Sequence, residues 1–92
     1  MRWYEKYLSV YEKPYQEVPK SVVNTVRENL ARLQSDEPLV TVSVIAYNEE
    51  KHLLACLWSL SEMQCCFPVE IIGVDNDSKD CTADIFKEVG LP

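Results

Sequence analysis

The stretch Val40-Thr41-Val42-Ser43-Val44-Ile45-Ala46-Tyr47-Asn48-Glu49-Glu50 leaves this chain the fewest choices. Val40, Thr41, Val42, Val44 and Ile45 are β-branched, and branching at Cβ suits a pleated strand better than a helix. The run is apolar on both parities, interrupted only by Thr41 and Ser43, so it reads as a strand of a parallel sheet covered on both faces. Polar residues follow at once. Asn48 offers an N-cap oxygen, and Glu49 and Glu50 fall in the first turn of a helix, where the dipole favours acids.

The design repeats. Val69-Glu70-Ile71-Ile72-Gly73-Val74 is a second apolar run, and Asp75-Asn76-Asp77-Ser78-Lys79-Asp80 stands at its end. A helical segment between the runs makes a βαβ crossover, which sets both strand ends on one rim. Ligands of open α/β sheets bind at that carboxyl end. Tyr47, Glu49, Asp75 and Asn76 are therefore the candidate site residues.

These residues carry a resemblance. Ala46-Tyr47-Asn48-Glu49-Glu50 is similar to the A/T-Y-N-E motif of family 2 glycosyltransferases, which have the GT-A fold. Val74-Asp75-Asn76-Asp77-Ser78-Lys79-Asp80-Cys81-Thr82 resembles their V-D-D/N-x-S-x-D-x-T motif, and the order and spacing of the two motifs also match. The likeness covers residues 39–92. The family often has Pro where Ile45 stands and Gly where Cys81 stands. The fold implied is α/β: the N-terminal part of a GT-A domain, Rossmann-like with a mostly parallel sheet, preceded by a helical extension over residues 1–38. The resemblance implies that Asp75 and Asn76 read the nucleotide of a sugar donor. It implies that Tyr47 lies against the base, that Glu49 reaches a ribose or base donor group, and that Ala46 makes a close backbone contact. Asp77, Ser78 and Asp80 read as turn and cap residues.

The family also implies a later D-x-D motif holding a divalent cation, Mn or Mg, and a later carboxylate base. Neither occurs within these 92 residues. Asp75-Asn76-Asp77 has D-x-D letters but stands at the nucleotide motif and is not read as a metal site. The expectation is a truncated domain, inactive in transfer by itself, with no catalytic residue and no metal ligand of its own. The parent would move a sugar from a nucleotide-sugar donor to an acceptor hydroxyl on an unidentified glycan or lipid.

Composition narrows the classes. The formal net charge is −6, which speaks against a nucleic-acid surface built from clustered Lys and Arg. The four cysteines include no CxxC pair, and His52 is the only histidine, so no zinc site is expected. Cys65 and Cys66 are adjacent; a redox pair is one reading, and reduced structural thiols of a cytosolic protein the preferred one. No signal peptide and no membrane-length apolar run appears. The expected location is cytoplasmic, with peripheral membrane association as an alternative.

The remaining segments read as scaffold. Trp3, Tyr7 and Tyr11, with Tyr4 and Leu8 beside them, share one helical face over residues 1–13. That face is either packed on the domain or, since Trp and Tyr favour interfaces, a docking or membrane face. Pro14 breaks it and Pro19 opens an amphipathic helix of about 16 residues carrying Val22, Val23, Val26, Leu30 and Leu33. The helix after Asn48 runs to about Glu62, with Leu53, Leu57 and Leu60 in a stripe and His52 exposed in its first turn. The last helix is capped by Asp80 or Thr82, buries Ile85, Phe86 and Val89, and ends at Gly90. Two parallel strands leave open edges, so self-association is expected.

Two other readings compete. A dinucleotide-binding half of an oxidoreductase wants G-x-G-x-x-G after the first strand, where this chain has Ala46-Tyr47-Asn48-Glu49-Glu50-Lys51. A non-enzymatic α/β interaction module of the receiver type wants an acceptor Asp at a third strand end.

Overall fold

The computed structural model describes residue 2, residues 4–64 and residues 66–91. The elements run α1 (Glu5–Leu8), a 3₁₀ turn (Tyr15–Glu17), α2 (Lys20–Leu33), β1 (Val40–Ala46), α3 (Leu53–Ser61), β2 (Val69–Asp75) and α4 (Thr82–Glu88). The strands pair in parallel and in unbroken register, from Val40 opposite Val69 to Ala46 opposite Asp75. Both strands and the βα crossover thus stand where the apolar runs put them.

The helices form one layer on one face of this sheet. Val26, Leu30, Leu57, Ile71 and Ile85 are at most 1% exposed and belong to a single cluster, against which Val42 and Val44 pack. The molecule measures 37 × 35 × 19 Å, and the short axis fits two layers. This corrects the expectation that β1 is covered on both faces. Thr41, Ser43 and Ile45 alternate to the outer side, and Ile45 is 69% exposed with Val74 beside it at 39%. Apolar side chains occur on both parities of β1, but the described helices supply cover for only one.

The far edge of β2 is finished by a side chain. Gln34 Nε2 donates to Ile71 O and Gln34 Oε1 accepts from Ile71 N–H, both at 2.8 Å. Beside it Ser35 N–H donates to Val69 O at 2.9 Å. The amide thus imitates one residue of a neighbouring strand and satisfies both backbone groups of a fully buried position, each costing about 1–3 kcal/mol if left bare.

α2 matches its apolar stripe, starting directly after Pro19 and burying Val23, Val26 and Leu30. α4 buries Ile85 and Phe86 and ends in a Schellman motif. Gly90 takes φ +80°, its N–H donates to Lys87 O, and Leu91 N–H donates to Phe86 O, each at 3.1 Å. A Cβ at Gly90 would lie 3.7 Å from its nearest neighbour, so the left-handed backbone and not crowding calls for glycine. Pro92, the expected stop, lies outside the described residues.

The N-terminal segment departs from its reading. Among the described residues of this segment the α-helix is Glu5–Leu8, shorter than the face expected over residues 1–13. The face does not run on to Tyr11: Glu12 turns into the left-handed region at φ +64°, and Val10, outside the predicted stripe, is buried at 3%. The part that packs does so on α3. Tyr7 meets Trp58 edge to face at 5.3 Å, its hydroxyl donates to Glu62, and Lys6 Nζ lies 2.8 Å from the same carboxylate. Trp3, predicted on this face, lies outside the described residues. So does Cys65; Cys56, Cys66 and Cys81 are free thiols.

Candidate functional site

The carboxyl ends of β1 and β2 meet where Ala46 pairs with Asp75, and Asn76 N–H extends the ladder by donating to Ala46 O at 2.9 Å. Two loops leave this edge, one toward α3 and one toward α4, and side chains fasten them together. Asn48 N–H donates to Ser78 Oγ at 2.8 Å, and Lys79 N–H donates to Asn48 Oδ1 at 2.8 Å. Glu49 N–H donates to Thr82 Oγ1 at 2.9 Å, and Glu50 N–H donates to Asp80 Oδ2 at 3.3 Å. Asp80 Oδ1 accepts from the Thr82 N–H at 2.9 Å and from the Thr82 hydroxyl at 2.5 Å. Backbone donors that would otherwise stand bare at the strand ends are thus satisfied by Ser, Thr, Asn and Asp, the residue types able to reach them locally.

Asn48 therefore does not cap α3. It adopts φ +51°, a left-handed conformation open to Asn with little penalty, and spends its side chain on the opposite loop. A bonded turn from Glu49 to Leu53 comes first, closed by Leu53 N–H to Glu49 O at 2.8 Å, and regular helix starts at Leu53. The N-cap of α4 is Cys81, whose side chain makes no capping bond; Asp80, one residue earlier, accepts the N–H of the first helical residue, Thr82, and ties that start to the β1 loop as well.

The candidate residues divide accordingly. Tyr47 is 54% exposed, and Asp75 and Asn76 are exposed beside the paired strand ends. Asp75 Oδ1 accepts from Ser78 N–H at 3.2 Å; a carboxylate has a second oxygen to offer. Ala46 turns its methyl inward and is 5% exposed. Glu49 is exposed at the base of the β1 loop, with Oε2 2.9 Å from His52 Nδ1. The structure thus brings Ala46, Asp75 and Asn76 into direct adjacency, and holds Glu49 through a histidine.

That histidine has a distant partner that no sequence pattern signals. His52 Nε2 lies 2.6 Å from Glu12 Oε1, forty positions earlier in the chain, and the Tyr11 ring covers the imidazole at 4.7 Å. His52 is half-buried rather than free in solvent. No local spacing links residues 12 and 52, so no periodicity could have signalled the contact.

A groove of about 450 Å³, lined by Asn29, Arg32, Ser61 and Gln64 among others, lies at the opposite rim where α3 hands over to β2. It contains none of the motif residues, and size alone does not make it the site. A smaller hollow of about 160 Å³ adjoins the motif rim, between Val44, Ala46, Glu49, His52 and Cys56. Among the described residues no three His, Cys, Asp or Glu side chains converge as metal ligands. Asp77, second acid of the D-x-D letters, is left-handed at φ +60°, and its carboxylate faces Lys79 at 3.6 Å.

A parallel βαβ unit whose strand-end loops are fastened by Asn, Ser, Asp and Thr, with a Tyr and acids left outside, is an α/β unit that fits the start of a GT-A-like domain. The family model for glycosyl transferase family 2 matches residues 41–90, both strands and both motifs. The chain belongs to that family. No curated protein and no solved structure matches it. Among the described residues no helix is long and apolar enough to cross a membrane.

Proposed function

We propose that the rim at the ends of β1 and β2 binds the nucleoside part of a nucleotide-sugar donor, and that this chain is the nucleotide-binding portion of a glycosyltransferase whose parent moves that sugar to an acceptor hydroxyl. The observation that carries this reading is the division of labour at the rim. Asn48, Ser78, Asp80 and Thr82 are consumed in joining the loops, whereas Tyr47, Asp75 and Asn76 stand exposed and Glu49 keeps one carboxylate oxygen with no partner among the described contacts. A flat phenol ring suits a base, and carboxylates suit ribose hydroxyls or base N–H groups. The divalent cation the family implies, Mn or Mg, has no converging set of ligands among the described residues. A cytoplasmic location, where nucleotide sugars are found, goes with this reading.

Calorimetric titration with uridine and guanosine diphosphates tests it. Asp75→Ala is expected to weaken binding of the preferred nucleotide roughly tenfold, about 1.5 kcal/mol, the lower end for a charge-assisted hydrogen bond because the carboxylate is exposed. Tyr47→Ala should cost about 0.5–1 kcal/mol if the ring only stacks. Wild-type affinity in Asp75→Ala, or no binding of any nucleoside diphosphate, removes the reading.

Self-association belongs to the same proposal. The bare outer face of the sheet around Ile45 and Val74, with an open β1 edge, is a surface that a second chain can cover. Light scattering should give a mass above 10.6 kDa that rises with concentration. A constant monomer mass argues against it.

A further inference from the structure

We propose that Glu12 and His52 form a clamp that positions Glu49 for the donor, so that the charged form of the His52 ring strengthens nucleotide binding at the rim; this rests on the nucleotide reading above. The geometry of the ring is the starting point. Nδ1 lies 2.9 Å from Glu49 Oε2 and Nε2 lies 2.6 Å from Glu12 Oε1. A neutral imidazole has one N–H and one lone pair, so it can donate to only one carboxylate and must turn a lone pair on the other. Only the imidazolium satisfies both at once.

The N-terminal segment is built to deliver Glu12. Its backbone takes φ +64°, uncommon for a residue other than Gly, Asn or Asp, and its N–H donates to Lys51 O at 2.8 Å. That bond fixes the segment against the residue preceding His52, and the Tyr11 ring closes over the imidazole at 33°. The groups facing the ring are Glu12 and Tyr11 from the N-terminal segment, Glu49 from the β1 loop, and Cys56 from α3. The Cys56 thiol is pushed up by burial and adds no charge near neutral pH. The hydrogen bonds to Glu49 and then to Glu12 hold the His52 proton above the ordinary histidine value, against the opposing effect of burial.

With the ring charged, Glu49 is held by Oε2 and keeps its other oxygen for the donor. The imidazolium also offsets acid beside an anionic diphosphate. When pH rises through the His52 titration, one of the two hydrogen bonds is lost and the clamp across Glu12, His52 and Glu49 opens. His52 and Glu12 are thus positioning residues, acting through Glu49. Linkage makes the effect reciprocal: a nucleotide that prefers the charged ring must raise the ring's titration midpoint.

His52 is the only histidine in the chain, so its ring protons are assigned in an NMR spectrum without ambiguity. The experiment follows that titration in the wild type, Glu12→Gln and Glu49→Gln, with and without uridine and guanosine diphosphates. Calorimetry of the same nucleotides is run at about pH 5.5 and about pH 8.5, either side of the usual histidine value of ~6.5. Both glutamine variants should lower the midpoint, and nucleotide should raise it in the wild type. Wild-type affinity should fall at the higher pH by roughly fivefold more than in His52→Gln, whose slope reports the phosphate's own titration. Glu12→Gln should show a reduced slope, while Asp75→Ala should bind weakly yet keep the wild-type slope. Equal slopes in wild type and His52→Gln, or a midpoint indifferent to Glu12→Gln, overturn the clamp and leave the nucleotide reading standing. No binding of either nucleotide at either pH overturns both.

Discussion

Asp80→Ala is expected to destabilise the chain by about 3 kcal/mol, because three donors lose their acceptor together. Asp80 takes the Thr82 N–H, the Thr82 hydroxyl and the Glu50 N–H. Thr82 is fully buried, so its hydroxyl proton has no water to turn to, and its oxygen is already occupied by Glu49 N–H. In a chain of this size the loss corresponds to a melting shift on the order of 15 °C. Because both rim loops hang on this carboxylate, nucleotide affinity should fall with stability, whereas Asp75→Ala loses only the exposed 3.2 Å bond from Ser78 N–H and should lower affinity far more than stability. Acid should act in the same direction as the mutation. Burial pushes the Asp80 carboxyl up, but hydrogen bonds from Thr82 and Glu50 outweigh it and hold the group below the ordinary value. A depressed carboxylate contributes stability that is present above its unfolded value of about 3.9 and is lost as pH falls through the lower folded value. Melting curves from about pH 7 down to about pH 2 should therefore drop more steeply below about pH 4 for the wild type than for Asp80→Asn. An Asp80→Ala chain that melts with the wild type would show that the loops are held by something else.

Gly73→Val should also cost about 3 kcal/mol, here through overpacking. A Cβ built on Gly73 comes within 2.4 Å of Phe86 Cδ1 and 2.7 Å of Cε1, distances at which something must move. Phe86 is 6% exposed inside the core, so its ring cannot simply swing into solvent. Even Gly73→Ala should cost about 2 kcal/mol, since the gain from a stiffer unfolded chain is only about 0.4–1 kcal/mol. The consequence reaches the rim, because α4 rests on β2 through this contact and carries Asp80 and Thr82 at its start. Phe86→Leu in the Gly73→Ala background should recover part of the loss and reveal a coupling of more than about 0.5 kcal/mol in a double-mutant cycle. Urea unfolding of the four chains measures it. A Gly73→Ala chain as stable as the wild type, or strict additivity, removes close approach as the reason for the glycine.

The local order of this chain was legible in its sequence. β1 and β2, the apolar stripe of α2, the buried face of α4 and the Gly90 stop all follow from periodicity, branching at Cβ and end signals, which act within one or two turns of backbone. The motif residues were legible too, and with them the family. What the sequence could not divide was the work among those residues. Asn48 read as a helix cap and is instead a left-handed tie to Ser78 and Lys79. Apolar parity on both sides of β1 read as double cover, while the described helices lie on one face and leave Ile45 in solvent. Gln34 on Ile71, Glu12 on His52 and Gly73 under Phe86 join positions 13 to 40 residues apart. Such contacts leave no period in the sequence, because they are fixed only when packing brings distant backbones together and each buried donor must take whichever acceptor then lies within reach.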